Sequence, residues 1–203
     1  MTNSPTQHPE LSDARPAAPQ RAIRPAIFYL IALIVFASDQ VSKAWAQRSL
    51  PWEQSRPIFG DVFSLTLTPN TGGAWGVLPR GNLLFSIFAA AAVIALLIAY
   101  NRMPRVPLLV GSALALALGG ALGNLLDRLR YGYVVDFFDL HKGGFHWPIF
   151  NIADSAITLG IIMLLLHFLR AYATDEEALP SLSPPHVGQV TLAAEDARPH
   201  QTD

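Results

Sequence analysis

The sequence has no cysteine and little charge. Without cysteine there are no disulfides, no thiol nucleophile, no thiolate metal site and no lipidation of this chain through a cysteine. Of its 203 residues only 14% are charged and 51% are hydrophobic, whereas an ordinary soluble domain carries roughly 25% charged residues. The net charge is −1, so no basic excess points to nucleic acid as a partner. Also missing are the H-E-x-x-H spacing of a zinc peptidase and the G-x-S-x-G turn of a serine hydrolase. His141 and His146 lie near aspartates, but no ligand pattern forms around them, and neither metal nor cofactor is expected.

What is present is a set of long apolar runs. Arg21 and Arg24 precede the first, which starts at Pro25 and must continue through Asp39, Gln40, Lys43 and Trp45 to reach the ~20 residues a bilayer requires. Residues 26–37 also have the length of a signal-peptide core, with Ala44-Trp45-Ala46 as a cleavage site. The long preceding tail and the polar residues before that site favour a span. Asp39 and Lys43 are four apart, share a helix face and can pair. Further spans are expected over 83–100, 106–126 and from Ile149 to Tyr172, the last opened by Pro148 in its first turn. Gly119 and Gly123 have the spacing that lets helices approach closely.

Between spans one and two, residues 62–68 alternate, with Phe63, Leu65 and Leu67 on one side and Ser64, Thr66 and Thr68 on the other. The expected fold is therefore an all-α polytopic membrane protein. Four transmembrane helices carry a small extramembrane β element between spans one and two, resting on the bilayer through Trp52, Phe59, Phe63 and Trp75. Residues 1–22 and 174–203 read as disordered tails around a membrane domain at 23–173. Four spans put both termini on one side. Arg21, Arg24, Arg102, Arg105 and Arg170 share that side, which makes it cytoplasmic.

The polar residues then fall at the outer face. Span three ends on Asn124, Asp127 and Arg128, and span four begins with Asn151, Asp154, Ser155 and Thr158 at i, i+3, i+4 and i+7. Asp136 sits between them, and Asn70 lies in a Gly-rich turn that can reach the same region. Ionisable groups beside membrane spans are costly and are usually paired or functional. Two carboxylates in one dry site share a proton, and such a pair can activate water to hydrolyse an amide. Asp127 is expected to pair with Arg128, and Asp139 to be solvated. Asp154 also suits a plain helix start, where carboxylates favour the dipole, and the residues alone leave that open. Two other classes fit the polar stripe: a small proton-coupled transporter using the aspartates as a relay, and a structural subunit glued through polar contacts. Clustering at one face disfavours the relay.

Five motifs occur in order: DQVSK at 39–43, NTGGAWG at 70–76, GGALGNLLDR at 119–128, VVDF at 134–137 and FNIADS at 150–155. Through them, residues 25–172 resemble the lipoprotein signal peptidases, the bacterial type II signal peptidases. The resemblance implies an inner-membrane aspartyl endopeptidase that removes signal peptides from prolipoproteins, cutting before a diacylglyceryl-modified cysteine. It assigns catalysis to Asp136 and Asp154. Asn70, Asn124, Arg128 and Asn151 match positions that contact substrate or globomycin-type inhibitors. Asp127 matches a supporting position, and Asp39 and Lys43 a structural pair. The implied partners are diacylglyceryl-modified prolipoproteins and membrane lipids, with termini cytoplasmic and the active site periplasmic. A piece around Phe145, His146 and Trp147 is expected to cover the aspartates.

Overall fold

A computed structural model describes residues 22–71 and 81–177. Most of the two expected tails lies outside the described residues, as do Trp75 and Arg80. The elements are α1 (Pro25–Ser49), β1 (Ser55–Phe59), β2 (Phe63–Asn70), α2 (Asn82–Arg102), α3 (Leu108–Tyr131), β3 (Val134–Lys142), β4 (Phe145–His146) and α4 (Ile152–Glu177).

All four helices are long and apolar enough to cross a membrane. At 1.5 Å per residue the 25 residues of α1 extend about 37 Å, more than the hydrocarbon thickness of about 30 Å. Burial separates their roles: 67% of the α3 span is buried inside the protein, against 17% for α1, 6% for α2 and 17% for α4. The central helix is therefore α3, and the other three present large apolar side chains such as Leu33, Phe88 and Leu165 outward. Small residues make α3 a suitable hub. A Cβ on Gly119 would lie 2.5 Å from the Ala32 carbonyl oxygen, and one on Gly123 would overlap Asp39 Oδ2. Both glycines thus face α1 and permit its close approach, as their spacing suggests. At the end remote from the sheet, Phe28 and Tyr100 stack with centroids 3.7 Å apart. There the Ile23 N–H also donates to the Val106 carbonyl at 2.9 Å, tying the start of α1 to the α2–α3 turn.

The sheet corrects the expectation of an all-α chain with a self-contained β element between spans one and two. It is antiparallel with strand order β1-β2-β3-β4, and half of it comes from the segment between α3 and α4. Phe63 pairs with Leu140, Thr68 with Asp136 and Asn70 with Val134, with an irregularity between Leu65 and Thr68. Asp136 is consequently on a strand rather than in a loop. Ala46 of α1 and Leu50 just after it pack with Leu67, Val135 and Phe137, which anchors the sheet to the helix bundle.

The alternating polar side of β2 is also not wet. Ser64 and Thr66 are buried, and so is Asp139, expected to be solvated but only 3% exposed. The reason is cross-strand pairing. Thr66 Oγ1 donates to Asp139 Oδ2 at 2.7 Å, and His146 Nδ1 lies 3.4 Å from the other Asp139 oxygen. Ser55 and Thr66 hydroxyls are 2.7 Å apart, and Ser64 Oγ is 2.9 Å from His141 Nε2. One hydrogen-bonded chain thus crosses all four strands.

The fourth helix begins at Ile152, not at Ile149. Phe150 is held by β3: its carbonyl accepts from Phe138 N–H at 2.8 Å, and its N–H donates to Phe138 O at 3.0 Å. Those bonds commit the backbone to an extended form, and Asn151 becomes the residue from which the helix starts. The helix then runs to Glu177, past residue 174.

Candidate active site

The site forms where the C-terminal halves of α1 and α3 meet the N-terminus of α4 and the start of β3. The deepest part is an ionic centre. Lys43 Nζ lies 2.8 Å from Asp39 Oδ2 and 2.9 Å from Asp127 Oδ2, with all three side chains essentially buried. The expected Asp39–Lys43 pair is present, whereas the expected Asp127–Arg128 pair is replaced. Adjacent residues on a helix diverge by about 100°, so Asp127 turns inward to Lys43 while Arg128 turns toward the start of α2. Arg128 donates through Nη1 to the Asn124 carbonyl at 3.3 Å, and its guanidinium sits 5.6 Å from the Phe85 ring centre.

The remaining lone pairs of the ionic centre are used. Asp39 Oδ1 accepts the Ala153 N–H at 3.0 Å, placing a carboxylate from α1 on the first turn of α4, where the helix dipole favours it. Asp127 Oδ2 accepts the Val135 N–H at 3.1 Å, which fixes the strand just before Asp136. Gln40 donates to Asp127 Oδ1 at 3.1 Å and to the Gly123 carbonyl at 3.3 Å. Sequence reasoning missed Gln40 as a site residue. Its signal was a second polar group beside Asp39 in an otherwise apolar helix.

Two amides connect this centre to the two candidate carboxylates. Asn124 Oδ1 accepts from Lys43 at 2.9 Å, and Asn124 Nδ2 donates to Asp154 Oδ1 at 2.7 Å. Asn151 Nδ2 donates to Asp136 Oδ1 at 2.7 Å and to Asn124 Oδ1 at 3.1 Å. Asn70, at the end of β2, donates to the other Asp136 oxygen at 2.9 Å. Asp154 Oδ2 accepts the Asn151 N–H at 3.2 Å. Eight of the nine residues singled out from the sequence thus form one network connected through side chains, and Gln40 extends it. Asp139 and His146 belong to the separate chain across the sheet, and Arg128 joins the centre only through the Asn124 backbone.

Burial pushes the Asp136 carboxyl up to about 7, and the Asp154 charge adds to the rise. The Asn70 and Asn151 amides and the Lys43 ammonium act in the opposite direction. At neutral pH such a group exchanges its proton readily, which is the condition for general acid and base work. Beside Asp154 lies a cavity of about 480 Å3, with Asn70, Trp147 and Asp154 at one end and Thr158, Leu159 and Ile162 along α4. Leu159 and Ile162 are half exposed on the outside of the helix bundle, so the cavity wall continues onto the apolar face of α4.

Helices fit to span a bilayer, with buried carboxylates gathered at one end of the bundle, define a polytopic membrane protein with a candidate acid–base site. Comparison with known proteins agrees. Residues 31–170 match the family described as Signal peptidase (SPase) II. The chain is 44% identical over 142 residues to the lipoprotein signal peptidase of Moorella thermoacetica, covering 70% of this chain and 92% of that protein. It is 41% identical over 153 residues to the lipoprotein signal peptidase of Pseudomonas aeruginosa, covering 73% and 90%. A bacterial membrane enzyme structure determined by the in meso method at 2.3 Å resolution superposes with a TM-score of 0.71 at 32% identity, over 76% of this chain and 94% of that one. A second such structure, at 1.9 Å resolution, gives 0.67 at 33% identity, over 74% and 97%.

The chain belongs to the signal peptidase II family. It is a multi-pass membrane protein, and the family's activity is cleavage of signal peptides from prolipoproteins. The transporter alternative gains no support from these relationships.

Proposed function

We propose that this protein cuts prolipoproteins immediately before a diacylglyceryl-modified cysteine, using a water activated by Asp136 and Asp154. The observation that carries this reading is the pair itself. Both carboxylates hang on one amide network, and Asp136 titrates near neutrality. The ionised member removes a proton from water as it attacks the scissile carbonyl. The protonated member donates a hydrogen bond to the developing oxyanion, and the proton then passes to the leaving amine. Asn70, Asn124 and Asn151 hold the carboxylates, and Arg128 stands at the rim as a cation for substrate or for a globomycin-type inhibitor.

The substrate class fits the surroundings. Acyl chains and a signal-peptide helix arrive within the bilayer, and the cavity runs from Asp154 down the apolar side of α4. Trp147 follows the β3–β4 hairpin and stands at the cavity wall, in position to cover the pair. In this reading the termini are cytoplasmic and the site faces the periplasm at the outer leaflet of the inner membrane, following the positions of Arg24, Arg102, Arg105 and Arg170.

The test uses purified protein in detergent with a prolipoprotein supplied with and without its diacylglyceryl group. Cleavage of the modified form alone, leaving the lipidated cysteine as the new N-terminus, is expected, and it should persist in EDTA. Equal cleavage of the unmodified form, or loss of activity on chelation, would overturn the reading.

A further inference from the structure

The network has a polarity, and its origin is Lys43. An ammonium has three N–H donors and no acceptor. Two of the Lys43 contacts go to Asp39 and Asp127, and the third goes to Asn124 Oδ1 at 2.9 Å. A side-chain amide is nearly symmetric in shape, so its two ends exchange by a simple flip unless neighbours distinguish them. Here they do. A flipped Asn124 would aim its NH2 at an ammonium and at the Asn151 NH2, and its oxygen at the Asp154 carboxylate. With the carbonyl held by Lys43, the NH2 must face Asp154, and the Asn151 NH2 finds Asn124 Oδ1, Asp136 and the Val135 carbonyl as its acceptors. Asn151 Oδ1 is then left for the Asp154 N–H, 2.9 Å away.

We propose that Lys43 is a positioning residue for the peptidase reaction: its third N–H fixes the orientation of Asn124, so that Asp154 receives an amide donor and Asn151 keeps Asn124 Oδ1 as one of its acceptors. The inference rests on the dyad reading above. It assigns Lys43 a function that a structural ion pair does not need, because Asp39 and Asp127 alone would satisfy the charge. The charged groups around this line are Asp39 on α1, Asp127 and Arg128 on α3, Asp136 on β3 and Asp154 on α4.

Removing Lys43 alone would strand two buried carboxylates, so the test keeps the charge constant. In Asp39→Asn/Lys43→Met, one positive and one negative charge disappear together. Asn at 39 can still accept the Ala153 N–H, and Met fills the lysine stem without a donor. Asp39→Asn/Lys43→Gln has the same charge and similar bulk but restores an N–H for Asn124. The expected result is a kcat lowered about 10- to 100-fold in the Met variant, in the range that small misplacements of reacting groups cost. KM should stay within about threefold, as for an interaction made in the transition state. The Gln variant should recover most of the lost kcat. Equal kcat in the Met and Gln variants, or a wild-type kcat in a folded Met variant, would overturn the proposal.

If the Met variant does not fold, Asn124→Asp is read instead. It keeps the shape and accepts from Lys43 but offers no N–H to Asp154. Loss of kcat supports the proposal and a wild-type kcat overturns it. Asp136→Asn and Asp154→Asn run beside these separate the two levels. Activity in both of them rejects the dyad, whereas their inactivity with equal Met and Gln variants rejects only the role of Lys43.

Discussion

Asn151 and Asp154 cap one another at the start of α4. The Asp154 N–H donates to Asn151 Oδ1 at 2.9 Å, and the Asn151 N–H donates to Asp154 Oδ2 at 3.2 Å. This is the reciprocal arrangement of a capping box, with Asn151 before the helix and Asp154 three residues in. Asp154 is thus both the helix-start residue that the sequence allowed and a member of the carboxylate pair. The two roles use different oxygens, since Oδ1 takes the Asn124 amide.

That division predicts how substitutions separate. Asp154→Asn keeps an acceptor for the cap but gives up the bond from the Asn124 NH2, so it should lose activity with a modest fall in melting temperature. Asp154→Ala loses the cap as well and should be destabilised by about 1 kcal/mol more. Thermal unfolding in detergent alongside a cleavage assay reads both effects.

Asp136 gives a pH signature in stability. Its carboxyl titrates near 4 when unfolded and at about 7 in the fold. Between those values the folded state holds the proton more tightly, so stability is full below about pH 4 and is lost as pH rises toward 7. Asp136→Asn cannot ionise. Its stability relative to wild type should therefore rise from pH 4 to 7 and level off above, whatever constant offset the altered hydrogen bonds introduce. Parallel melting scans of the two proteins across that range check it, and a flat difference would contradict the shift.

In cleavage, the same group should make kcat/KM fall as pH rises above about 7, because the pair then loses its shared proton. A rate profile on one lipid-modified substrate, with stability confirmed at each pH, measures this.

Asp139 is predicted to matter for the sheet and not for the chemistry. Its two oxygens meet Thr66 and His146, and the chain of contacts reaches from Ser55 on β1 to β4. Asp139→Ala removes the Thr66 hydrogen bond, leaving that hydroxyl only Ser55 as a partner, and should cost about 1 kcal/mol. The fall should appear in melting temperature, with kcat retained at temperatures where the variant is folded.

The features legible in the sequence were local ones. Hydropathy marked four helices, the four-residue spacing paired Asp39 with Lys43, and the small residues at 119 and 123 marked the face that meets α1. What escaped was long-range. Asn70 was expected near Asp136, but 66 residues of chain containing two membrane helices separate them, so nothing near either residue announced that β2 and β3 pair. The same pairing hid Asp139, because alternating Ser64 and Thr66 look like a wet strand face until a second strand supplies partners. Arg128 beside Asp127 suggested a pair by adjacency, yet helix geometry turns neighbours apart and gives Asp127 to Lys43. The start of α4 was misplaced by three residues because Phe150 is claimed by β3.

The most direct measurement is single-turnover cleavage of a diacylglyceryl-modified prolipoprotein by wild type, Asp136→Asn and Asp154→Asn, each shown by melting to be folded. The paired-carboxylate account predicts that both variants lose at least about 100-fold in rate, the least that general acid–base catalysis contributes. A folded variant of either that cuts at close to the wild-type rate would contradict it.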